Sequence, residues 1–236
     1  MREKGETEGF DRIASSYDRW YETPLGRLVD RLEKEAVFGL LEEAGGGLAL
    51  DLSCGTGNYT LDLARRDMRV VGADLSEPML RLAQAKARRA GVRLALVSAD
   101  AGALPFRANT FDLVTFVLGL EFADPRRSLE EVHRVLKPGA QTLVAILNRT
   151  GLWTFWRRLK RFFVPSIWRH AAFLSRKELE GLLEARGFSA LGWRGAVYFL
   201  PLFQTRGRRY LARWERGGGR WMPGRATFVA MAGRRA

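Results

Sequence analysis

The sequence predicts a doubly wound α/β domain on a mostly parallel sheet, and two observations carry that expectation. Short apolar runs that each end in an acid alternate with stretches of helical period: 48–50 ends at Asp51, 70–73 at Asp74 and 92–99 at Asp100. Such alternation is the mark of β-α-β units, whose strands are buried on both faces and share one direction. The first run also leads through Ser53-Cys54-Gly55-Thr56-Gly57-Asn58 into Leu61, Leu63 and Ala64 at helical spacing. Glycines in that loop allow positive φ and a close approach of a ligand to the main chain, and the free amides of the helix start point at the same place.

The acid at the strand end narrows the ligand. A dinucleotide site requires a third glycine after Gly57, and a phosphate loop requires Lys-Ser/Thr; neither follows here. Asp51 would repel a phosphate and welcome a cationic amino group or sulfonium. The string D-L-S-C-G-T-G resembles the first motif of class I S-adenosylmethionine (SAM) dependent methyltransferases, D/E-x-G-x-G-x-G, with Ser53 at the first glycine. The two glycines nearest the methionine half of the ligand are kept. The resemblance implies a Rossmann-like seven-stranded sheet with an antiparallel edge strand and a small helical lid. It also implies SAM as cofactor and S-adenosyl-L-homocysteine as product.

Composition sets bounds. A chain of 236 residues with 47% apolar content suits one domain, expected to divide into lid helices (1–45), a SAM-binding core (46–148) and a basic lid segment with the last helix and edge strands (149–236). The single cysteine, Cys54, excludes an internal disulfide and fits a reducing compartment. The polar opening residues do not read as a signal peptide, and no apolar run approaches the ~20 residues of a membrane span, so a soluble, cytoplasmic protein is expected. No metal ligand set is read. Charge is unevenly spread: residues 1–148 carry 20 Lys/Arg against 22 Asp/Glu, and residues 149–236 carry 19 against 4. That asymmetry points the tail at something anionic, whether phospholipid, nucleic acid or an acidic substrate.

Taken in order, Phe10, Ile13, Ala14 and Tyr17 fall on one helical stripe. The segment resembles the F-D-x-x-A-x-x-Y-D opening of ubiquinone/menaquinone-biosynthesis-type small-molecule methyltransferases, which implies that it folds over the SAM pocket with Tyr17 and Tyr21 as lid residues; packing onto the core is the other reading. Residues 25–43 continue at helical spacing, and Gly45-Gly46-Gly47 is expected to end that helix. Asp74, about twenty residues past the glycine loop, sits where a carboxylate can accept both ribose hydroxyl hydrogens. Leu75 follows it in the site, and Ser76-Glu77-Pro78-Met79 starts a helix with a serine cap and an early proline. The resemblance places Met79 on the adenine and has Asp100 accept from the adenine amine beside Ala101.

Residues 110–118 read as the fourth strand, and with Ala123-Asp124-Pro125 they resemble the family's fourth motif, which puts Leu118 near the methionine moiety. Many relatives carry His where Glu121 stands. Residues 126–136 form a helix pattern, and 141–147 a fifth strand. His133 reads as structural, and His170 is open to either reading.

From Leu152 the character changes. Leu152, Phe155, Trp156, Leu159, Phe162 and Phe163 share a helical stripe, with Arg157, Arg158, Lys160 and Arg161 mainly elsewhere, and Pro165 beyond. Such a helix lies on a membrane, roofs the acceptor pocket, or packs on the sheet with a solvated basic face. Residues 175–187 form a capped helix with a glycine stop, and 189–200 and 226–232 supply two final strands. Between them, arginines and aromatics interleave over 206–225, in a pattern that suits phosphates, lipid interfaces or a solvated loop.

The functional expectation is therefore SAM-dependent methyl transfer to a small-molecule or lipid acceptor. In it Tyr17, Asp51, Ser53, Cys54, Gly55, Thr56, Gly57, Asp74, Leu75, Met79, Asp100, Ala101 and Leu118 contact SAM, and Glu121 or Tyr17 takes a proton from the acceptor. The expected partner surface is an anionic membrane reached through the basic tail, at which the cytoplasmic protein would be peripheral. Nucleic acid is the weaker partner, since no catalytic N/D-P-P-Y/F tetrad follows the fourth strand. An RNA methyltransferase and a non-catalytic SAM-binding protein are the alternatives.

Overall fold

Near-continuous apolar strand sequences are satisfied by burial on both faces, and the computed structural model, which describes residues 5–42, 46–160, 171–200 and 208–236, buries the central strands so and leaves the edge strand at 95–98 partly exposed. Strands β1 (Leu48–Leu52), β2 (Arg69–Asp74), β3 (Ala95–Ser98), β4 (Phe111–Val117) and β5 (Leu136–Leu147) are parallel. β7 (Phe228–Arg235) runs antiparallel between β5 and β6 (Phe188–Ala196), and the spatial order is 3-2-1-4-5-7-6. Strand order reverses between β1 and β4, which leaves a crevice outside their carboxyl ends.

Alternate strand residues feed two core layers. Leu50, Val114, Phe116 and Ile146 meet α6 (Pro125–Val135) and α8 (Arg176–Glu184) through Leu129, Val132 and Leu179. Ala49, Leu113, Leu143 and Ala145 meet the other layer, made by α3 (Pro24–Phe38), α4 (Asn58–Ala64), α7 (Leu152–Lys160) and α9 (Arg208–Trp221). Helix α5 (Glu77–Arg89) packs on β2 and β3. Local signals act as expected at several ends. The Ser76 side chain caps α5, and a reciprocal Ser175–Glu178 capping box opens α8.

Four features differ from the sequence expectation. The N-terminal stripe breaks at Asp18 into α1 (Gly5–Tyr17) and α2 (Arg19–Glu22), and Thr23 then caps a new helix with Pro24 in its first turn. That helix, α3, stops at Phe38 rather than running to 43. Its last turn is closed by Gly39, and the turn and residues after it are clamped by Gln141 of β5, which donates to Leu40 O at 2.8 Å and accepts from Glu42 N at 3.2 Å. Residues 208–221 are helical despite Gly217-Gly218-Gly219. Glu215 ties α9 down by accepting from Val197 N and Tyr198 N at 2.8 and 2.9 Å.

The fourth is the face of α7. Trp153 and Thr154 are buried and the Arg157 guanidinium is drawn out of water, whereas Phe155 of the expected apolar stripe is 65% exposed. The Leu159 side chain, Phe162, Phe163, Pro165, His170 and Arg206 lie outside the described residues, as do the side chains of Arg158 and Lys160. Among the described residues no helix is long and apolar enough to cross a membrane.

Gln141 is 7% exposed, and Gln141→Ala would remove its two part-buried hydrogen bonds, to Leu40 O and from Glu42 N, beyond the end of α3, each worth about 0.5–1.5 kcal/mol. A stability loss of about 1–3 kcal/mol is expected in urea denaturation, with the slope unchanged.

Candidate functional site

A cavity fills the crevice at the strand-order reversal. Its floor is the loop after β1, where Gly55 (φ 53°) and Gly57 (φ 81°) are left-handed. A Cβ on Gly57 would also lie 3.1 Å from Ala83 Cβ, so the loop turns there with its main chain pressed on α5. Two non-glycine residues of the wall share this backbone region, Ser53 (φ 55°) and Leu118 (φ 54°). Each costs roughly 1–2 kcal/mol, and such outliers collect at functional sites. Ser53 thus occupies the conformation that explains why glycine is the family residue there. Gly119 is needed opposite, since a Cβ would stand 2.4 Å from that of Ser53.

The three strand-end acids take different stations. Asp74 lines the cavity and ties its floor together, with Oδ2 accepting from Gly55 N at 2.8 Å and Oδ1 from Ser76 N at 2.9 Å. Each oxygen keeps a further lone pair. Burial raises its pKa, against the backbone bonds that hold it down. Asp51 lies beneath the floor, 2% exposed, with Thr60 donating to Oδ2 at 2.6 Å and Thr115 to Oδ1 at 2.8 Å. Burial pushes its pKa up to about 6. Asp100 stands at the rim, accepting from Gly102 N at 2.9 Å, while its neighbours Ala99 and Ala101 line the cavity.

Helices α1 and α2 close the top with Phe10, Tyr17 and Tyr21. Ser76 Oγ donates to Asp11 at 2.5 Å, and Phe10 meets Phe122 edge-on at 4.8 Å. Asp18 pairs with Lys86 of α5 at 2.8 Å and accepts from Thr56 at 2.8 Å, and Lys86 in turn reaches Thr56 and Asn58 at 2.9 and 2.8 Å. The lid is thus latched directly to the glycine loop.

Behind the β4 side lies a buried group of titratable side chains. Glu121, in the 3-10 turn Leu120–Phe122, is 2% exposed; Oε1 accepts from Leu147 N at 2.5 Å, and Oε2 has no hydrogen-bond partner among the described residues. Burial pushes Glu121 up to about 7 and Glu33 of α3, 7% exposed, up to about 8. Arg157 opposes both shifts, and its guanidinium lies 5.0 Å from the Trp153 ring. Tyr17 and Tyr21 are hydrogen-bonded to each other, and burial raises both, with the Glu33 charge adding to the shift. The Tyr59 hydroxyl is buried in the cavity wall without a partner among the described residues.

Of the residues expected from sequence, Tyr17, Ser53, Cys54, Gly55, Thr56, Asp74, Leu75, Met79, Ala101 and Leu118 line this one cavity. Asp51, Gly57, Asp100 and Glu121 do not; the last three sit directly beside lining residues, and Asp51 lies deeper, on Thr60 and Thr115. Burial raises the Cys54 thiol well above its usual range, which leaves it a packing group. Sequence reasoning missed Phe10, Asn58, Tyr59, Ser76, Val117 and Phe122 in the wall, and Glu33 behind it. Asn58 and Tyr59 directly follow the glycine loop, and that adjacency was the available signal. Glu33 lies in an apolar helical stripe, where an acid offers no pattern of its own.

Residues 50–144 match the family described as methyltransferase domain. A demethylmenaquinone methyltransferase of Lactiplantibacillus plantarum is 42% identical over 139 residues, 56% of this chain and 58% of that protein. The chain therefore spans under two thirds of that relative's length. A ubiquinone/menaquinone biosynthesis C-methyltransferase of Syntrophotalea carbinolica is 35% identical over 203 residues, 76% of this chain and 84% of that protein. The solved structure of a SAM-dependent methyltransferase from Thermotoga maritima superposes with a TM-score of 0.73 at 25% identity, covering 97% of this chain and 99% of that one.

The buried acids set a pH dependence. A carboxyl raised from 4.5 in the unfolded chain to about 8 stabilises the fold fully below 4.5, and that stabilisation is lost as pH rises through about 8. Glu33→Gln should therefore change stability little at pH 5 and exceed wild type progressively toward pH 9. Urea denaturation at pH 5, 7 and 9 checks this; a pH-independent difference would show that Glu33 is not held neutral.

Proposed function

This chain belongs to the class I SAM-dependent methyltransferases, in their ubiquinone/menaquinone-biosynthesis group, and we propose that it methylates a ring carbon of an apolar, quinone-type acceptor beneath the α1–α2 lid. The observation that carries this reading is the two-sided cavity. Toward β2 and β3 it presents Asp74, Ser76, Met79 and Ala101, and toward β4 it presents Val117, Leu118 and Phe122 under the tyrosines. The first side suits a ribose and a flat heterocycle; the second suits a flat apolar ring. The named activities of the relatives, demethylmenaquinone methyltransferase and 2-phytyl-1,4-naphtoquinone methyltransferase, support the acceptor class.

When bound, SAM supplies a methyl group already activated on cationic sulfur. The protein's work is then alignment and the exclusion of water. Asp74 has the lone pairs to accept two ribose hydroxyls, and the Gly55–Gly57 main chain makes room for the amino acid end, with the Asp51 charge beneath it. Tyr17 and Tyr21 place two hydroxyls in the roof, where they hydrogen-bond an acceptor oxygen. Replacing a ring hydrogen by methyl releases one proton. Glu121, a buried residue of the turn between Gly119 and Phe122, which line the cavity, is raised to about 7 and suited to hold that proton near neutral pH.

Two outcomes are expected. Asp74→Asn, which keeps the shape and loses the charge, should weaken SAM about 10–100-fold in calorimetry, since a hydrogen bond to a charged group is worth about 1.5–3 kcal/mol. Incubation with SAM and a naphthoquinol lacking the ring methyl should give methylated quinol and S-adenosyl-L-homocysteine by mass spectrometry. SAM binding without methylation of either the reduced or the oxidised ring would overturn the acceptor assignment.

A further inference from the structure

Helix α7 is mounted with Trp153 and a guanidinium inward and Phe155 outward. Arg157 turns toward Glu33 and Glu121, Trp153 and Thr154 are buried, and Phe155 stands 65% exposed. Helix α9 also shows aromatics to solvent. Leu211 and Gly218 are buried and Glu215 is occupied by Val197 and Tyr198, and along the flank of that buried face stand Trp214 and Trp221, 55% and 77% exposed and seven residues apart. Met222 follows, 39% exposed. The buried sides of both helices enter the same core layer through Trp153 and Leu211, so their outward aromatics belong to one flank of the molecule.

Exposed aromatics scattered singly need no explanation, but three on helices that cover the same side of the sheet, with cations beside them, do. Arg220 lies 5.9 Å from the Trp221 ring, Arg225 is exposed, and the segment from 149 onward carries 19 Lys/Arg against 4 Asp/Glu. We propose that this flank docks on an anionic phospholipid bilayer, with Phe155, Trp214 and Trp221 at the boundary between headgroups and acyl chains and the arginines on the phosphates. Tryptophan prefers that boundary, and each basic residue near an anionic surface adds about fivefold to attachment. A single-stranded nucleic acid would engage the arginines and stack bases on the aromatic rings, but it gives the exposed Met222 beside Trp221 no role, whereas an acyl boundary does. The lid adjoins the flank, since Trp20 of α2 meets Trp153 of α7 at 6.0 Å. The proposal does not depend on which acceptor is methylated.

Co-sedimentation of the full chain with phosphatidylglycerol/phosphatidylcholine vesicles and with pure phosphatidylcholine vesicles, across a salt series, tests it. Wild type should bind the anionic vesicles with a blue shift of tryptophan emission, and the neutral ones far more weakly. Trp214→Ala with Trp221→Ala should lower the partition about tenfold or more, and Phe155→Glu should lower it separately, with SAM affinity and circular dichroism unchanged. No binding to anionic vesicles at low salt would overturn the proposal. So would binding that these variants leave intact, which marks charge attraction alone, or displacement of the protein from vesicles by single-stranded RNA at equal charge concentration, which marks a nucleic-acid surface.

Discussion

The site depends on one carboxylate. Asp74 accepts from Gly55 with one oxygen and from Ser76 with the other, so it joins the loop after β1 to the start of α5. Without that bridge the left-handed Gly55 would be a free turn and the cap of α5 would lose its anchor. Beneath it Asp51 does the same for the interior, drawing Thr60 of α4 and Thr115 of β4 onto β1. Two acids, each at a strand end, thereby convert a sheet crevice into a shaped cavity. Asp74 alone retains access to a ligand, and its raised pKa reflects burial rather than any cationic partner.

Closure of the lid rests on weaker forces, as entry of a ligand requires. Lys86 is partly desolvated, which lowers its pKa, and its contacts with Asp18, Thr56 and Asn58 offset that penalty. Partly exposed pairs of this kind contribute modestly and are screened by salt. The short α1–α2 unit can separate without dismantling the core, because the buried layers are completed by α3 and the later helices. Seating Asp18 on Thr56 makes closure sensitive to the loop conformation, the feature a bound ligand would change.

Much of this was legible in the sequence because it is local. Strand-end acids, the glycine loop, the Ser76 and Ser175 caps and the order of β1 to β5 follow from short-range patterns, and ten of the thirteen expected contact residues line one cavity. What was not legible depends on partners distant in sequence. The end of α3 is decided by Gln141, about a hundred residues away, and the station of Asp51 by Thr115. The apolar stripe of α7 was visible, but which face turns inward is decided by buried acids on α3 and after β4. Periodicity reports that a helix is two-sided and is silent on which side meets the protein.

That reversal links the reaction cavity to the outer surface. A guanidinium turned into the interior needs carboxylates, and Glu33 and Glu121 are the acids whose shifts Arg157 opposes. One cation and two carboxyls approach neutrality when the two share one proton, so the pair titrates as a unit rather than as two independent groups. Burial places that titration near 7 to 8, where a proton from an acceptor can be held and then released to solvent. Arg157 therefore has two consequences. Inward, its charge favours one ionised carboxylate behind the tyrosines. Outward, its seating fixes the rotation of α7 and leaves Phe155 exposed. In the proposed reading, the residue that poises the proton acceptor is also the one that turns Phe155 toward lipid.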